Sequence, residues 1–160
     1  MCSSDLVLQE AQAKFIEIGI VSSATQCSRG LGDILFMQNQ YDKATTVLEG
    51  ARVKFIELGD VLGATQCLRS LGEIRSYQGD HAEASIMLSE AREQCIKIGD
   101  QLGAACCLEA LGDNNRFEGK YVEAKELLTR AKDEFLNFGY SLGVERCESK
   151  LSEVVTESSI

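Results

Sequence analysis

Residues 51–90 read ARVKFIELGDVLGATQCLRSLGEIRSYQGDHAEASIMLSE, and residues 91–130 read AREQCIKIGDQLGAACCLEALGDNNRFEGKYVEAKELLTR. The two stretches are identical at 16 of 40 positions, and residues 11–50 match 51–90 at 18 of 40. Ala11, Ala51, Ala91 and Ala131 form one column of this repeat, and Cys27, Cys67, Cys107 and Cys147 form another. The 160 residues hold four such periods. A fixed period of this size means a stack of supersecondary units. One unit cannot bury its apolar face alone, so its neighbours bury it. The repeat therefore sets the fold and directs attention to surfaces rather than to a single pocket.

Within each period the apolar residues recur at helical spacing. Ala44, Leu48, Ala51, Phe55 and Leu58 make one stripe. No segment alternates with period two for long enough to read as a strand, and there is no proline. The chain reads as all-α. Gly59-Asp60 and Gly99-Asp100 punctuate it, with Gly suited to the position just past a helix end and Asp to an N-cap. The second break is Asn39-Gln40, Gly79-Asp80 and Gly119-Lys120, and Asp80 with Glu83 resembles a capping box. These signals predict eight antiparallel helices over residues 4–18, 21–38, 41–58, 61–78, 81–98, 101–118, 121–138 and 141–157. The expected organisation is one repeat domain, 1–160, with helix pairs 21–58, 61–98 and 101–138 and half-units 4–18 and 141–157.

Leu31-Gly32, Leu71-Gly72 and Leu111-Gly112, followed by Tyr41, His81 and Tyr121 and then by Ala44, Ala84 and Ala124, resemble the tetratricopeptide repeat. The 40-residue period resembles the Leu-Gly-Asn-type repeats of adaptors and the arrays of fungal NLR-like proteins. The usual Trp is absent, replaced by Ser28, Leu68 and Leu108, and Ser152 stands where Gly is expected in the last period. The resemblance implies a right-handed α-solenoid whose first helix of each pair lines the concave side. It implies a non-catalytic protein–protein interaction or assembly scaffold. The alternative is a ligand-sensing segment of a larger NLR-like receptor.

Carried over by the resemblance, the partner-binding positions are Gln26, Arg29, Asp33, Phe36 and Met37 in the first full unit. Gln66, Arg69, Glu73, Ser76 and Tyr77 follow in the second, and Cys106, Glu109, Asp113, Arg116 and Phe117 in the third. Asp33, Glu73, Asp113 and Glu153 make an acidic column. Adaptor relatives carry Asn there, whereas a carboxylate accepts hydrogen bonds but donates none. Arg29 and Arg69 precede Asp33 and Glu73 by four residues, the spacing of an intrahelical ion pair. The expected partner is a protein or peptide segment of basic or amphipathic character.

Net charge is −9 and the pI about 4.7. That excludes nucleic acid and an anionic membrane surface as expected partners, since both need clustered Lys and Arg. The N-terminal residues show no signal-peptide pattern, so a reducing, cytoplasmic setting is expected. The seven cysteines contain no Cys-x-x-Cys, and His81 is the single histidine. No metal and no cofactor are expected, and no nucleophile is paired with a base. The thiols read as small apolar packing residues.

The phase of the repeat raises a further expectation. The chain opens on a second-type helix and closes on a first-type helix. Leu8, Ala11, Phe15 and Ile18 could then meet Val144, Cys147, Leu151 and Val154 of another copy in a head-to-tail homo-oligomer. The competing reading is that the polar stretch 145–150 caps the stack.

Overall fold

The computed structural model describes residues 3–17 and 20–159. Among these residues it contains eight α-helices and no strand. They are α1 (Ser3–Glu17), α2 (Val21–Met37), α3 (Tyr41–Glu57), α4 (Val61–Tyr77), α5 (His81–Ile98), α6 (Gln101–Phe117), α7 (Tyr121–Asn137) and α8 (Ser141–Glu157). Each begins and ends within one residue of the span expected from the punctuation. The fold is an all-α series of neighbouring helices packed in a repeat-like, tetratricopeptide-like manner. The chain divides into two compact units, Met1–Ile74 and Arg75–Ile160, with the boundary inside α4. In the first unit α2 packs between α1 and α3. In the second, α5, α6, α7 and α8 pack in succession, and α6 also reaches α8.

The turns explain why the helices stop where they do. Gly59, Gly79, Gly99, Gly119 and Gly139 all have positive φ, and Asn39 holds the same conformation at φ 59°. Each turn carries the same pair of backbone bonds. At the α5 end, Gly99 N–H donates to Ile96 C=O at 3.2 Å and Asp100 N–H donates to Cys95 C=O at 2.8 Å. This is the Schellman closure, which satisfies carbonyls that the helix leaves unpaired. Asp60 and Asp100 then cap the next helix, accepting from the Gly63 and Gly103 N–H groups at 2.8 and 2.9 Å. The expected capping box at Asp80 is not formed. Asp80 makes no side-chain cap bond, and Glu83 turns instead to Arg75 at 3.4 Å.

Odd- and even-numbered helices both contribute to the core. Ala44, Leu48, Ala51 and Phe55 of α3 are buried, as are Ala124, Leu128, Ala131 and Phe135 of α7. The same columns in α5 hold Ala84, Leu88, Ala91 and Cys95. The expected stripe stops at Phe55. Leu58 is 46% exposed, because it is the C-cap residue and the chain there already swings into the turn. Two close approaches require glycine. A Cβ on Gly63 would lie 2.5 Å from the Phe55 ring, and one on Gly112 would lie 2.7 Å from Leu128 Cγ. The mid-helix glycines thus seat a leucine of the next helix. Gly32 meets Leu48 rather than the Ala44 of the repeat motif.

Candidate interaction surface

In the first unit, Asp33 is engaged from two sides. Arg29 Nη1 lies 2.8 Å from Asp33 Oδ2, and the Ser70 hydroxyl donates to Asp33 Oδ1 at 2.8 Å. Arg69 and Glu73 form the second i, i+4 pair at 3.3 Å. Gln26 and Met37 are exposed, while Phe36 and Gln66 are half-buried. Phe36 lies 6.0 Å from the Tyr41 ring.

In the second unit, the acidic positions sit inside a charge network. Glu109 and Asp113 are buried on α6. Arg146 binds both Glu109 oxygens, at 3.0 and 2.8 Å, and Lys150 lies 2.9 Å from Glu109 and 2.9 Å from Asp113. The two cations sit four residues apart on α8 and match two acids four residues apart on α6. Arg116 adds bonds to Asp113 at 2.9 Å, Glu153 at 3.1 Å and Glu157 at 2.8 Å. Burial by itself raises the Glu109 pKa, but hydrogen bonds and charge from Arg146 and Lys150 outweigh it and hold the carboxyl below its usual value. Lys150 is shifted up despite its burial, by Asp113 and Glu109. The sequence alone reads residues 145–150 as a polar cap and does not assign Arg146 and Lys150 to this network. Their i, i+4 spacing opposite Glu109 and Asp113 is the signal that could have found them.

Beside the network lies an exposed aromatic pair. Tyr77 and Phe117 have ring centroids 5.1 Å apart, and they are 52% and 36% exposed. The Arg116 guanidinium sits 4.5 Å over the Phe117 ring. Ser76 is not on this surface; it is buried and donates to Asn114. Cys106 is half-buried, whereas Cys107 next to it is buried.

Of the residues expected at the chain ends, Leu8, Ala11 and Phe15 are half-buried on α1. Ile18 lies outside the described residues. Cys147 packs with Ala131 and Phe135, and Val144 lies against the same cluster. Val154 packs with Ala124 and Leu128, with Leu151 alongside. This stripe therefore faces α7. Where α6 buries Ala105, Leu108 and Gly112, α8 exposes Glu145, Glu148 and Ser152.

Among the described residues, no group of three His, Cys, Asp or Glu side chains is placed to hold a metal ion, and no helix is long and apolar enough to cross a membrane. Burial pushes the Cys67 and Cys147 thiols up to about 12.

Residues 62–133 match the family model of the tetratricopeptide repeat, and that match supports a tetratricopeptide repeat in this stretch. Repeats of this family generally mediate protein–protein interaction and are typically non-catalytic. No curated protein matches the chain.

Proposed function

We propose that this chain is a non-catalytic protein-interaction or assembly module that takes a partner segment on the second-unit face formed by Tyr77, α6 and α8. The observation that carries this reading is the exposed Tyr77–Phe117 pair with Arg116 over one ring. Aromatic residues and Arg are enriched at interfaces, and Tyr and Arg are among the side chains that carry most of the binding energy. The partner is an amphipathic segment with basic residues. Its apolar side chains meet the two rings, and its charge meets the outer parts of Glu153 and Glu157, which remain half-exposed. Glu109 and Asp113 are already matched by Arg146 and Lys150, so charge contributes less than the acidic column alone suggests. The attraction is screened as salt rises.

Capture from the source cell followed by mass spectrometry identifies candidates, and titration with the purified partner tests the site. Tyr77→Ala with Phe117→Ala should weaken binding at least tenfold with the helical signal unchanged. Glu153→Lys should weaken it further, and more at 50 mM than at 300 mM salt. Unchanged affinity in the aromatic double variant rejects this face as the site.

A further inference from the structure

One line of residues in the first unit is smaller than its counterparts in later periods. Ser28 stands where Leu68 and Leu108 stand one and two periods on, and both leucines are buried. Val47 stands in the column of Met87 and Leu127, and Gly50 in the column of Glu90 and Arg130. Ser28, Val47 and Gly50 all line a cavity of about 430 Å³. A second cavity, of about 460 Å³, adjoins it, and the two share Leu31, Thr46 and Val47. They are two halves of one groove, with α2 as its floor and α1 and α3 as its walls. Each half falls within the roughly 300–1,000 Å³ usual for a ligand pocket.

The second unit shows what closes such a groove. Arg92 of α5 reaches Glu134 of α7 at 3.5 Å, and Leu127 packs against the cluster of Ala105 and Leu108. The columns of Arg92 and Glu134 hold Gln12 and Lys54 in the first unit. Gln12 donates to Ser28, and Lys54 turns to Glu57 at 2.8 Å. The groove also has a polar end and an apolar end. Asp5, Gln9, Gln40 and Lys43 line the first, and Ile16, Val21, Ala24 and Ala51 line the second. Hydroxyls near the apolar end are already bonded within α2, Thr25 to the Val21 carbonyl and Ser28 to the Ala24 carbonyl. From Asp5 to Ile16 along α1 is about 16 Å at the helical rise, so the groove is long and narrow.

We propose that this groove binds an uncharged single-chain amphiphile, an aliphatic chain ending in a hydroxyl, ester or amide head. The chain lies along Leu31, Val47 and Ala51. The head sits between Gln9 and Gln40, whose amides both donate and accept. Charge selects a neutral head. A carboxylate placed there faces Asp5, which is 2% exposed, and an ammonium faces Lys43. At the other end Glu57 already matches Lys54. The site lies within the first unit and uses none of Tyr77, Arg116 or Phe117, so it is independent of the partner face proposed above.

Calorimetric titration of the full chain with decan-1-ol, decanoate and decylamine, each below its micelle-forming concentration, tests this. One decan-1-ol per chain is expected, with a Kd below about 100 μM. Decanoate and decylammonium should bind at least tenfold more weakly. Methyl NMR shifts on adding decan-1-ol should fall on Leu31 and Val47. Ser28→Leu, which installs the residue of the later periods, should abolish binding with the helical signal intact. Val47→Met fills the same space with the residue of α5 and should do likewise. Lys43→Gln leaves Asp5 as the charge at the head end and should tighten decylammonium about fivefold, the scale of an exposed ion pair. Tyr77→Ala with Phe117→Ala should bind decan-1-ol as the wild type does. The absence of saturable decan-1-ol binding overturns the proposal. So does equal binding of all three probes, full binding by folded Ser28→Leu and Val47→Met, or loss of binding in the aromatic double variant. Leu31 and Val47 methyl shifts that depend on protein concentration without ligand would mean that a second copy fills the groove, and would overturn it too.

Discussion

His81 Nδ1 lies 2.9 Å from Asn114 Oδ1, and the contact joins two departures from the repeat. His81 stands in the column of Tyr41 and Tyr121, and Asn114 in the column of Ile34 and Ile74. Ser76, in the column of Phe36, donates to the same Asn114 oxygen at 2.8 Å. Asn114 Nδ2 donates to the His81 carbonyl at 3.0 Å. A carbonyl can only accept, so this bond fixes the amide orientation and puts Oδ1 toward the ring. The ring must then carry its proton on Nδ1. Asn114 is fully buried, yet both ends of its amide are bonded, as a buried polar group requires.

Asn114→Ile restores the apolar residue found one and two periods earlier, yet it should destabilise. Ser76 and His81 would lose their acceptor in a buried site, at about 1–3 kcal/mol. Adding Ser76→Ala and His81→Tyr removes the stranded groups and should recover most of the loss. Urea denaturation of the single and triple variants measures this. A triple variant no more stable than the single one shows that the cluster does not act as a unit.

The glycines divide into three classes with opposite outcomes. Gly112→Ala places a Cβ 2.7 Å from Leu128 Cγ, and Gly63→Ala places one 2.5 Å from the Phe55 ring. Both should cost about 1–3 kcal/mol by overpacking. Gly50 lies within α3, and a Cβ added there would meet nothing within 4 Å, so Gly50→Ala should gain about 0.5–1 kcal/mol. Gly99→Ala also meets open space but sits at φ 78°, and should lose about 1–2 kcal/mol. Thermal melts of the four variants must give this order of signs.

The fold was legible because the repeat is written in packing residues. Columns such as Leu48, Leu88 and Leu128, and glycines such as Gly59 and Gly99, each have one structural use, and period and punctuation place them. The surface was less legible. Asp113 reads as one of four equivalent carboxylates, and only the approach of α8 shows that Lys150 and Arg116 occupy it. Val144 and Val154 form an apolar stripe on any helical projection. Which neighbour takes that stripe depends on helix rotation, which a single sequence leaves open. His81 and Asn114 lie 33 residues apart, so their pairing follows from the seating of α5 on α6 and not from a local motif.

Thiol reactivity should follow burial. Cys67 and Cys147 are fully buried with pKa pushed up to about 12, so little thiolate exists at neutral pH. Among the described cysteines, Cys27 and Cys106 are half-buried and should be alkylated before the buried ones in the native protein. Denatured without reductant, the chain should titrate as seven thiols. Mass spectrometry of partial iodoacetamide labelling reads the order, and early modification of Cys67 or Cys147 contradicts it.

The Glu109 network should make stability depend on pH in one direction. Its carboxyl is held below the usual value in the folded chain by Arg146 and Lys150. A depressed folded pKa contributes stability that is fully present above the unfolded value, about 4.3, and is lost as pH falls through the folded one. Glu109→Gln keeps the shape and removes the charge. It should cost about 1.5–3 kcal/mol at pH 7, the range for hydrogen bonds to a charged group. As pH falls below the unfolded value, about 4.3, the gap between wild type and variant should close, because protonated Glu109 loses its attraction for both cations. Arg146 is more than a third exposed, so the lower half of that range is expected. Urea midpoints at pH 7, 5, 4 and 3 give the curve. A gap that stays constant across that series would mean that Glu109 holds α8 by shape and hydrogen bonding alone, with its charge contributing nothing.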